Sequence, residues 1–288
     1  MLEIKEEYLK KILPLDGPSI NEVKRYLEKY NDEYIVIKCG GSVLVDQNLF
    51  DIFIKDISIL NKLGFIPIIV HGGGKRINNK LNELGIKSNF IKGLRVTDKE
   101  TIKVVEKVLI EFNSEIIEAL KVQSCSSQSI NSRKNNVITV IQKNAELGFV
   151  GSPIEINKTI IDKFVDDKKV PVIAPLGLDE KNQTYNINAD TAAGFIAKKI
   201  AARRLIIMSD VEGVLDGNKN LVPEINSNSI KDLIDNEVVT GGMIPKINNC
   251  IDVASNGVKG VVIIDGRKNH SILFELLSKK GSGTLIRK

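Results

Sequence analysis

The stretch YIVIKCGGS, residues 34–42, decides the fold because it joins a buried strand to a pair of glycines. Its first four residues are apolar and largely β-branched, which indicates a strand buried on both faces. Lys38 stands where that strand ends, and Gly40 and Gly41 let a ligand approach exposed backbone N–H groups. The stretch therefore indicates either an anion site, most naturally for phosphate, or an ordinary turn beside a solvated lysine.

Composition narrows the class of protein. A chain of 288 residues, 42% hydrophobic and 27% charged, is long enough for one large α/β domain or two lobes. The net charge of +5 comes from scattered basic residues, and tryptophan is absent. Nucleic acid therefore gains little support as a partner, whereas anionic small substrates fit. Since neither a signal peptide nor an 18-residue apolar run occurs, we expect a soluble intracellular protein that has no membrane partner.

The three cysteines are Cys39, Cys125 and Cys250, and they lie far apart with no clustered histidine. This spacing argues against a zinc site or a disulfide framework, so we predict no metal held by the protein and a reducing compartment. The expected location is the cytoplasm, or the plastid stroma if the gene is plastid-encoded. Heavy use of Asn, Ile and Lys hints at an AT-rich genome, either bacterial or plastid.

Residues 1–30 precede the first core strand. Residues 1–13 have the pattern of an amphipathic helix, and residues 13–18 break it. Ser19 and Glu22 form a capping-box pattern that opens a second helix through Tyr30. Such a segment either packs on its own domain or forms an arm that contacts another subunit, and the sequence leaves both readings open.

Strand and helix patterns alternate along the rest of the chain and predict a parallel α/β sheet. Predicted helices cover 48–63, 75–84, 97–121, 160–167, 191–202, 230–236 and 245–255. Predicted strands cover 34–37, 65–70, 137–141, 147–156, 170–176, 204–209 and 259–265. The polar residues 123–136 are expected to be an irregular surface excursion, and the two halves meet near 176–190.

Unusual residues follow several predicted parallel strands, at the sheet edge where open α/β sheets bind ligands. They lie at 38–41, 71–74, 176–190 and 209–213. The chain has neither a Gly-x4-Gly-Lys-Ser/Thr loop nor a GxGxxG loop, and it lacks a nucleophile elbow. A P-loop enzyme, a Rossmann dehydrogenase and a serine hydrolase are therefore disfavoured. Two glycine loops that face each other across a crevice suit phosphoryl transfer.

In chain order, a set of motifs resembles those of the N-acetylglutamate kinases, members of the amino acid kinase family. They are KCGGS (38–42), VHGGGK (70–75), GLRVTD (93–98), LGFVG (147–151), PVIAPLG (171–177), NINAD (186–190), SDVEGV (209–214) and GGMIPK (241–246). GLRVTD and NINAD separate this pattern from carbamate kinases, aspartokinases and uridylate kinases. The resemblance covers about residues 34–287 and implies a three-layer αβα sandwich with a central, mainly parallel open sheet.

The resemblance also implies a division of labour. Residues 1–30 would be a helical arm, residues 31–180 a lobe for the amino acid and subunit contacts, and residues 181–288 a lobe for ATP and an arginine site. The implied reaction is ATP-dependent phosphorylation of the γ-carboxylate of N-acetyl-L-glutamate in arginine biosynthesis. One alternative is another amino acid kinase, acting on carbamate, aspartate or UMP. Another is a non-catalytic sensor, which would be expected to lack Lys38, Asp190 or Lys246.

The family pattern implies that Lys38 and Lys246 stabilise the transferring phosphoryl group and that Asp190 holds both lysines. Two ammonium groups from opposite lobes would neutralise the charge that develops there. Taken alone, Lys246 reads as a solvated lysine at a helix start, and Asp190 as a helix N-cap.

The remaining implied roles concern substrates. Arg95 would bind a substrate carboxylate in bidentate fashion, although alone it reads as a surface arginine. The substrate would further contact Gly73, Gly74, Asn186 and Asn188, and the phosphates would contact Gly40, Gly41 and Gly72. ATP would lie near Ser209, Asp210, Gly213 and Met243, with Mg²⁺ bridging its phosphates.

The C-terminal pattern His270, Glu275 and Gly283 resembles the arginine-inhibited branch of the family, which also carries an N-terminal helix. It implies L-arginine as an inhibitor, a homo-oligomer (dimer or hexamer) and, by resemblance alone, a PII-type regulatory partner. Without the resemblance, His270 and Glu275 would merely pack or cap a terminal helix. The chain departs from the family at Glu111-Phe112, where a Gly-Lys pair is usual, and at 125–136, where a glycine/lysine-rich loop is usual.

Overall fold

The computed structural model describes residues 5–226, 233, 235, 239 and 243–288. Its helices are α1 (Glu6–Ile12), α2 (Ile20–Tyr30), α3 (Gln47–Lys62), α4 (Gly74–Glu83), α5 (Lys99–Val122), α6 (Lys158–Asp166), α7 (Ala189–Lys199), α8 (Met243–Ser255) and α9 (Ser271–Leu277), with a 3-10 turn over Gly41–Leu44. Its strands are β1 (Tyr34–Cys39), β2 (Ile66–His71), β3 (Phe90–Ile91), β4 (Leu94–Arg95), β5 (Ser127–Ile130), β6 (Ile138–Gln142), β7 (Gly151–Ile156), β8 (Val170–Ile173), β9 (Leu176–Leu178), β10 (Thr184–Asn186), β11 (Arg204–Ser209), β12 (Glu224–Asn226), β13 (Val261–Asp265) and β14 (Gly283–Arg287). The predicted helix 230–236 falls largely outside the described residues.

An eight-stranded sheet in the order β12-β14-β13-β11-β1-β2-β8-β5 runs through the centre of the molecule. Its neighbouring strands pair in parallel, except that β13 and β14 are antiparallel, so β12 and β14 run against the others. The prediction of a central, mainly parallel open sheet is confirmed. A smaller sheet, β10-β9-β6-β7, and the hairpin β3-β4 lie beside it.

The central sheet separates two hydrophobic cores, which makes three layers. On β1, Ile35 and Ile37 belong to one core and Val36 to the other, and all three are fully buried. This alternation is why the strand reads as continuously apolar. The first core is covered by α1, α2, α3, α5 and α9, and the second by α6, α7 and α8. The predicted αβα sandwich is confirmed.

The predicted strand 170–176 is wrong in extent, because it is two strands in two sheets. The chain leaves the central sheet after Ile173 and enters the smaller sheet at Leu176. Pro175 lies between them and has no N–H to donate to a ladder, which favours a break at this point. The change of sheet brings the 186–190 segment back toward the glycine loops.

The segment 123–136 was predicted to be irregular, and this too is wrong in part. Residues Ser127–Ile130 form β5, which pairs in parallel with β8 at the edge of the central sheet. Its polar side chains escaped a pattern based on apolar runs because an edge strand need not be apolar. Ser129 instead donates a 2.6 Å hydrogen bond to Asn113 on α5.

Two helices have N-cap residues that differ from those predicted from the sequence. Asp98, rather than Thr97, caps α5 by accepting the backbone N–H groups of Glu100 and Thr101. At α7 the cap is Asn188, whose Oδ1 accepts the backbone N–H of Thr191 at 3.0 Å. Asp190 therefore lies in the first helical turn, and its carboxylate is available for other partners.

The N-terminal helices pack on the body of the protein. The capping box between Ser19 and Glu22 is present at the start of α2, as predicted. Leu9, Val23 and Tyr30 are fully or almost fully buried against the first core. This burial favours the reading in which the segment belongs to its own domain, and a contact with another subunit stays a prediction.

The cysteines are free thiols buried inside the fold. Burial raises the pKa of Cys39 and of Cys250 to about 12 and that of Cys125 to about 11. Their thiolate fraction at neutral pH is consequently very small. Within residues 5–226 and 243–288, no helix has both the length and the apolar character that crossing a membrane requires.

Candidate active site

The two glycine loops meet at the carboxyl edge of the central sheet, because β1 and β2 are neighbouring parallel strands. The backbone N–H of Gly72 donates a 2.7 Å hydrogen bond to the carbonyl of Cys39, which ties one loop to the other. A cavity of about 400 Å³ opens beside them. The predicted site residues that line it are Lys38, Gly40, Gly41, Gly72, Gly73, Gly74, Arg95, Asn186, Asn188 and Asp190.

One carboxylate and two ammonium groups form a charged cluster at this cavity, of which Asp190 and Lys38 line the cavity and Lys246 does not. Lys38 Nζ lies 3.0 Å from Asp190 Oδ1, and Lys246 Nζ lies 3.0 Å from Asp190 Oδ2. Lys38 comes from the end of β1 and Lys246 from α8, so the carboxylate joins opposite parts of the fold. The contact with Lys246 is a hydrogen bond, whereas Oδ1 accepts no hydrogen bond of regular geometry and its contact with Lys38 is ionic.

The charge state of Asp190 is fixed by its neighbours. Burial by itself would raise the pKa of this carboxyl, but the charges of Lys38 and Lys246 outweigh burial and lower it to about 2. At neutral pH the cluster is therefore one anion between two cations. The excess positive charge faces the cavity, where it can attract an anionic ligand.

Steric limits explain the glycine pair after β1. A Cβ at position 40 would clash with the side chain of Lys38, and a Cβ at position 41 would clash with the carboxylate of Asp210. Gly41 also has φ +65°, in the left-handed region that L side chains rarely adopt. Asp210 accepts the backbone N–H of Ser42 at 2.7 Å, so the turn closes tightly against the end of β11.

Arg95 also lines the cavity, at the end of β4. Only 7% of the residue is exposed, and its guanidinium stacks on the ring of Phe90 at 4.7 Å. It donates to Ser88 Oγ and, at 2.7 Å, to Asn78 Oδ1. No carboxylate within the described residues pairs with it, and burial lowers its pKa. A buried cation surrounded by neutral partners is suited to receive an anion.

The two predicted asparagines behave differently. Asn186 donates from Nδ2 to Thr97 Oγ1 at 3.4 Å, a long hydrogen bond that leaves its amide facing the cavity. Asn188 lines the cavity as well, but its Oδ1 is engaged as the N-cap of α7.

His71 is structural rather than chemical. It is completely buried, and burial lowers its pKa to about 4, so the imidazole is neutral at neutral pH. Its Nδ1 lies 2.9 Å from the carbonyl of Gly72, and its Nε2 lies 3.1 Å from Nδ2 of Asn113. The Nδ2 group of Asn113 can only donate, so Nε2 of His71 is the acceptor and the assigned tautomer carries its proton on Nδ1. In this tautomer Nδ1–H donates to the carbonyl of Gly72 and thereby supports the second glycine loop.

The residues predicted for ATP lie outside the main cavity, around the end of β11. Ser209 ends that strand, Asp210 follows it, and Gly213 lies in the next turn. Gly213 has φ +141°, and the following N–H, from Val214, donates to Thr284 Oγ1 at 2.8 Å. Met243 begins α8, one turn before Lys246, and packs on the second core.

The residues predicted for arginine lie away from the cavity. His270 contacts two carboxylates, with Nδ1 2.6 Å from Asp56 Oδ1 and Nε2 3.2 Å from Asp16 Oδ1. Glu275 accepts the backbone N–H of Ser282 at 3.0 Å, and burial raises its pKa. A Cβ at position 283 would clash with the carbonyl of the neighbouring β13, so packing alone explains that glycine.

Several cavity residues escaped the sequence analysis, namely Lys75, Asn78, Phe90 and Gly93. Asn78 lies one helical turn after Gly74, and that spacing could have placed it facing the glycine loop. Phe90 contacts Arg95 across a two-strand hairpin, β3 and β4, which is too short for any periodic pattern to reveal. No cluster of three or more His, Cys, Asp or Glu side chains suited to a metal ion occurs within the described part of the chain.

A model of the amino acid kinase family matches residues 33–265. The chain belongs to that family. The acetylglutamate kinase of Pelagibacter ubique is 68% identical over 287 residues that cover 100% of both chains. The acetylglutamate kinase of Rhodospirillum centenum is 39% identical over 296 residues, covering 98% of this chain and 95% of the relative. The resemblance drawn from the motifs is confirmed, and the chain is a kinase that groups with these enzymes.

Solved structures agree on the fold. Two crystal structures of an N-acetylglutamate synthase from Neisseria gonorrhoeae, one complexed with coenzyme A and N-acetyl-glutamate and the other with coenzyme A and L-arginine, match with TM-scores of 0.84 and 0.81. Their identities to this chain are 21% and 19%, so the likeness shows the fold alone. Each match covers 94% of this chain, which spans 64% and 66% of the two synthase chains.

Proposed function

We propose that this kinase transfers the γ-phosphoryl group of ATP to the γ-carboxylate of N-acetyl-L-glutamate. The product is N-acetyl-L-glutamyl 5-phosphate, and the step belongs to arginine biosynthesis. The observation that carries the proposal is the pairing of two cationic centres across one cavity. Arg95 lines the cavity and is buried with no anionic partner among the described residues, and Lys38 and Asp190 line the same cavity, with Lys246 bound to Asp190 behind them. An acceptor with two carboxylates suits such a cavity.

The acceptor enters the reaction without losing a proton. A γ-carboxyl group has an ordinary pKa near 4.3, so it is ionised at neutral pH and its oxygen can attack phosphorus directly. The site accordingly needs no general base. This fits a neutral, buried His71 and an Asp190 that is committed to two lysines. In the transfer, the bond between the acceptor oxygen and phosphorus forms while the bond from phosphorus to the leaving ADP oxygen breaks.

Charge neutralisation is then the main catalytic task. Negative charge shifts onto the phosphoryl oxygens and the leaving oxygen, and Lys38 and Lys246 would stabilise it from opposite sides. Asp190 is the positioning residue that holds both ammonium groups. The backbone N–H groups of Gly40, Gly41, Gly73 and Gly74 would add donors to the phosphoryl oxygens and the acceptor. The N–H of Gly72, predicted to contact the phosphates, is instead donated to the carbonyl of Cys39.

Arg95 would bind the α-carboxylate of the acceptor, and Asn186 and Asn188 would hydrogen-bond the rest of the bound amino acid. The hydrogen bonds that the guanidinium donates to Asn78 Oδ1 and Ser88 Oγ fix it before a substrate arrives. Prior positioning lowers the entropy that binding would otherwise cost.

ATP would lie over residues 181–288, near Ser209, Asp210, Gly213 and Met243, and the amino acid would bind in the lobe 31–180. Mg²⁺ would bridge the phosphates and neutralise part of their charge. The described residues contain no cluster of three or more His, Cys, Asp or Glu side chains for a metal, so Mg²⁺ would take its ligands mainly from phosphate oxygens and water.

The discriminating experiment measures ADP release with N-acetylglutamate, glutamate, aspartate, carbamate and UMP offered separately. We expect turnover with N-acetylglutamate and little with the others. If N-acetylglutamate gave no turnover, the proposal would fail. Turnover with carbamate, aspartate or UMP alone would reassign the enzyme within its family.

Regulation by L-arginine is a further part of the proposal, together with a dimeric or hexameric assembly and a PII-type partner. It is supported by Glu275, a largely buried carboxylate near the charges of Arg204 and Lys29 that could receive a guanidinium. L-arginine should inhibit turnover in a titration, with D-arginine as the control, and Glu275→Gln should weaken the inhibition. No inhibition at millimolar L-arginine would refute this part. The mass of the full chain by light scattering tests the assembly.

A further inference from the structure

Lys75 is a cation at the cavity to which the proposed reaction assigns no role. It is the second residue of α4 and directly follows the three glycines of the second loop. Its Nζ lies 3.3 Å from Ser42 Oγ and 3.4 Å from Asp210 Oδ2. It lines the same cavity as Lys38 and Arg95. The side chain thus reaches from the loop after β2 toward the turn that follows β1.

Stability does not explain a lysine at this position. The side chains of Lys75 and Asp210 are 49% and 39% exposed, and ion pairs of that exposure contribute about 0–1 kcal/mol. The start of a helix is its positive end, where a cation is unfavourable. The first turn of α4 nevertheless has no acidic residue and continues with Arg76. A cation placed against the helix dipole, beside a cavity that already holds other cations, increases the attraction for an anion.

The hydrogen bonds of Lys75 leave it able to bind a ligand. An ammonium group has three N–H donors, and within the described residues Ser42 and Asp210 accept two of them. Asp210 also accepts the backbone N–H of Ser42. Burial alone would raise the pKa of the Asp210 carboxyl, but this hydrogen bond helps to lower it. An ionised Asp210 therefore holds Lys75 beside the glycine turn while one N–H stays free.

We propose that Lys75 is a third phosphoryl-binding cation, which contacts the γ-phosphoryl group of ATP from the side of the second glycine loop. This inference rests on the proposed function, because it places the γ-phosphoryl group between the two loops. Lys38 and Lys246 approach that group from β1 and α8, and Lys75 approaches it from α4. Asp210 and Ser42 are the positioning residues that hold the lysine in reach.

The test replaces the charge and keeps the aliphatic stem. Lys75→Met is compared with Lys80→Met, a matched control on the same helix whose lysine is 41% exposed and pairs only with Glu83 in the described chain. Calorimetry gives the affinity for ADP and for a non-hydrolysable ATP analogue, both with Mg²⁺, and steady-state kinetics give kcat and KM. Lys75→Met should weaken binding of the analogue about tenfold and lower kcat about 10- to 100-fold, since one charge-assisted donor to the phosphoryl group is lost.

Three controls keep the result interpretable. ADP affinity should stay within about twofold of the unchanged enzyme, because ADP lacks the γ-phosphoryl group. Lys80→Met should change neither affinity nor kcat, and Lys75→Arg should restore part of the loss because it restores the charge. The melting temperature of Lys75→Met should barely move, as expected for an exposed ion pair.

Two outcomes would overturn the inference. One is analogue affinity and kcat within about twofold of the unchanged enzyme in Lys75→Met. The other is an equal loss of ADP and analogue affinity, which would place the contact elsewhere on the nucleotide. Failure of the proposed function looks different, because an enzyme without turnover of N-acetylglutamate would still bind the analogue and still report the effect of Lys75.

Discussion

Two charge clusters in the molecule are mirror images in sign. At the cavity, a carboxylate lies between two ammonium groups, Asp190 between Lys38 and Lys246. Near the chain ends, an imidazole lies between two carboxylates, with His270 at the centre. In the first cluster the charges of the two lysines lower the pKa of Asp190 to about 2. This carboxylate therefore stays ionised at every pH at which the enzyme would work.

The second cluster behaves in the opposite way. The hydrogen bond to Asp56 raises the pKa of His270, whose ordinary value is 6.5. Burial raises the pKa of Asp56 to about 6, although its bond to His270 acts in the other direction. The pKa of Asp56 thus moves toward neutrality, and that of His270 lies above its ordinary value. The groups of this cluster also join distant parts of the chain, because Asp16 precedes α2, Asp56 lies on α3 and His270 precedes α9.

The comparison indicates that the cavity cluster serves binding and chemistry, whereas the second cluster serves the attachment of the chain ends. Catalytic charge is useful only if it does not vary with small changes of pH. The charge of a cluster that joins two segments can vary with pH, because losing its ion pairs lowers the stability of the fold and leaves the reaction unaffected. Substitutions in the two places should therefore affect different measurements.

The largest effect is expected from Lys38→Ala. Removing this ammonium group should lower kcat by about 10²- to 10³-fold, because its contribution is made in the transition state, while KM for ATP changes by less than about threefold. Lys198→Ala is the control, since Lys198 pairs with Asp252 outside the cavity. A variant that changed KM alone would reassign Lys38 to ground-state binding.

Arg95→Ala comes next. The buried guanidinium is expected to make a charge-assisted contact with the acceptor carboxylate, so KM for N-acetylglutamate should rise about 10- to 100-fold, with a smaller change in kcat. Steady-state kinetics with the acceptor varied provide the measurement. Arg133→Ala removes an arginine that pairs with Glu106 at an exposed site, and it should leave KM unchanged. An unaltered KM in Arg95→Ala would exclude Arg95 from acceptor binding.

The second cluster should respond to pH instead. The folded-state pKa of His270 lies above its unfolded value, so its contribution to the free energy of unfolding is complete below pH 6.5 and is lost as pH rises through the raised pKa. The raised pKa of Asp56 likewise makes the free energy of unfolding fall as pH rises, but in a lower pH range. His71 has the opposite effect: its pKa is lowered to about 4, so the free energy of unfolding rises with pH, and this effect is confined to pH below 6.5.

Urea unfolding between pH 6.5 and pH 9 isolates His270 from His71. His270→Gln should cost about 1–3 kcal/mol at the acidic end of this range and less at the alkaline end, since a charged hydrogen-bond partner of a buried carboxylate is lost. The kcat of the variant should stay close to that of the unchanged enzyme. If the difference in unfolding free energy between His270→Gln and the unchanged protein were the same at every pH in this range, the assignment of the pH dependence to His270 would be contradicted.

The smallest effect is expected from Ser19→Ala, which removes the N-cap of α2 beside the second cluster. Caps of this kind contribute about 1 kcal/mol, so the melting temperature should fall by a few degrees with kcat unchanged. Ser114→Ala is the matched control, because Ser114 lies inside α5 and bonds only the carbonyl one turn earlier. Equal losses in the two variants would show that the cap contributes nothing of its own.

The fold could be predicted because its core strands are apolar on both faces and because several helices, among them α2, α3, α5 and α7, begin at a side-chain cap. Ile35, Val36 and Ile37 face two cores, which makes β1 unmistakable in sequence. β5 was missed because Ser127–Ile130 is a polar edge strand stabilised by a parallel neighbour, and local pattern carries no record of that neighbour. The break at Pro175 was missed because apolar residues continue on both sides of it.

For the site, family motifs gave a set of residues that the structure brings largely into one cavity. The sequence could not predict which side chain each of these residues contacts. Nothing in the pattern shows that Arg95 is buried against Phe90, or that Lys75 reaches Asp210 across the crevice. The contact between Lys75 and Asp210 joins segments distant in sequence, and the contact between Arg95 and Phe90 spans a hairpin too short for a periodic pattern, so periodicity encodes neither.

The three buried thiols can be used to measure local unfolding at three places in the fold. With pKa values of about 11 to 12, Cys39, Cys125 and Cys250 are almost wholly protonated and shielded in the folded state, so an alkylating reagent must wait for each site to open. Cys39 ends the strand that carries the first glycine loop, Cys125 precedes the edge strand, and Cys250 lies on the helix of Lys246. Labelling rates at these positions would therefore time the local unfolding of the end of β1, of the sheet edge at β5 and of helix α8 separately.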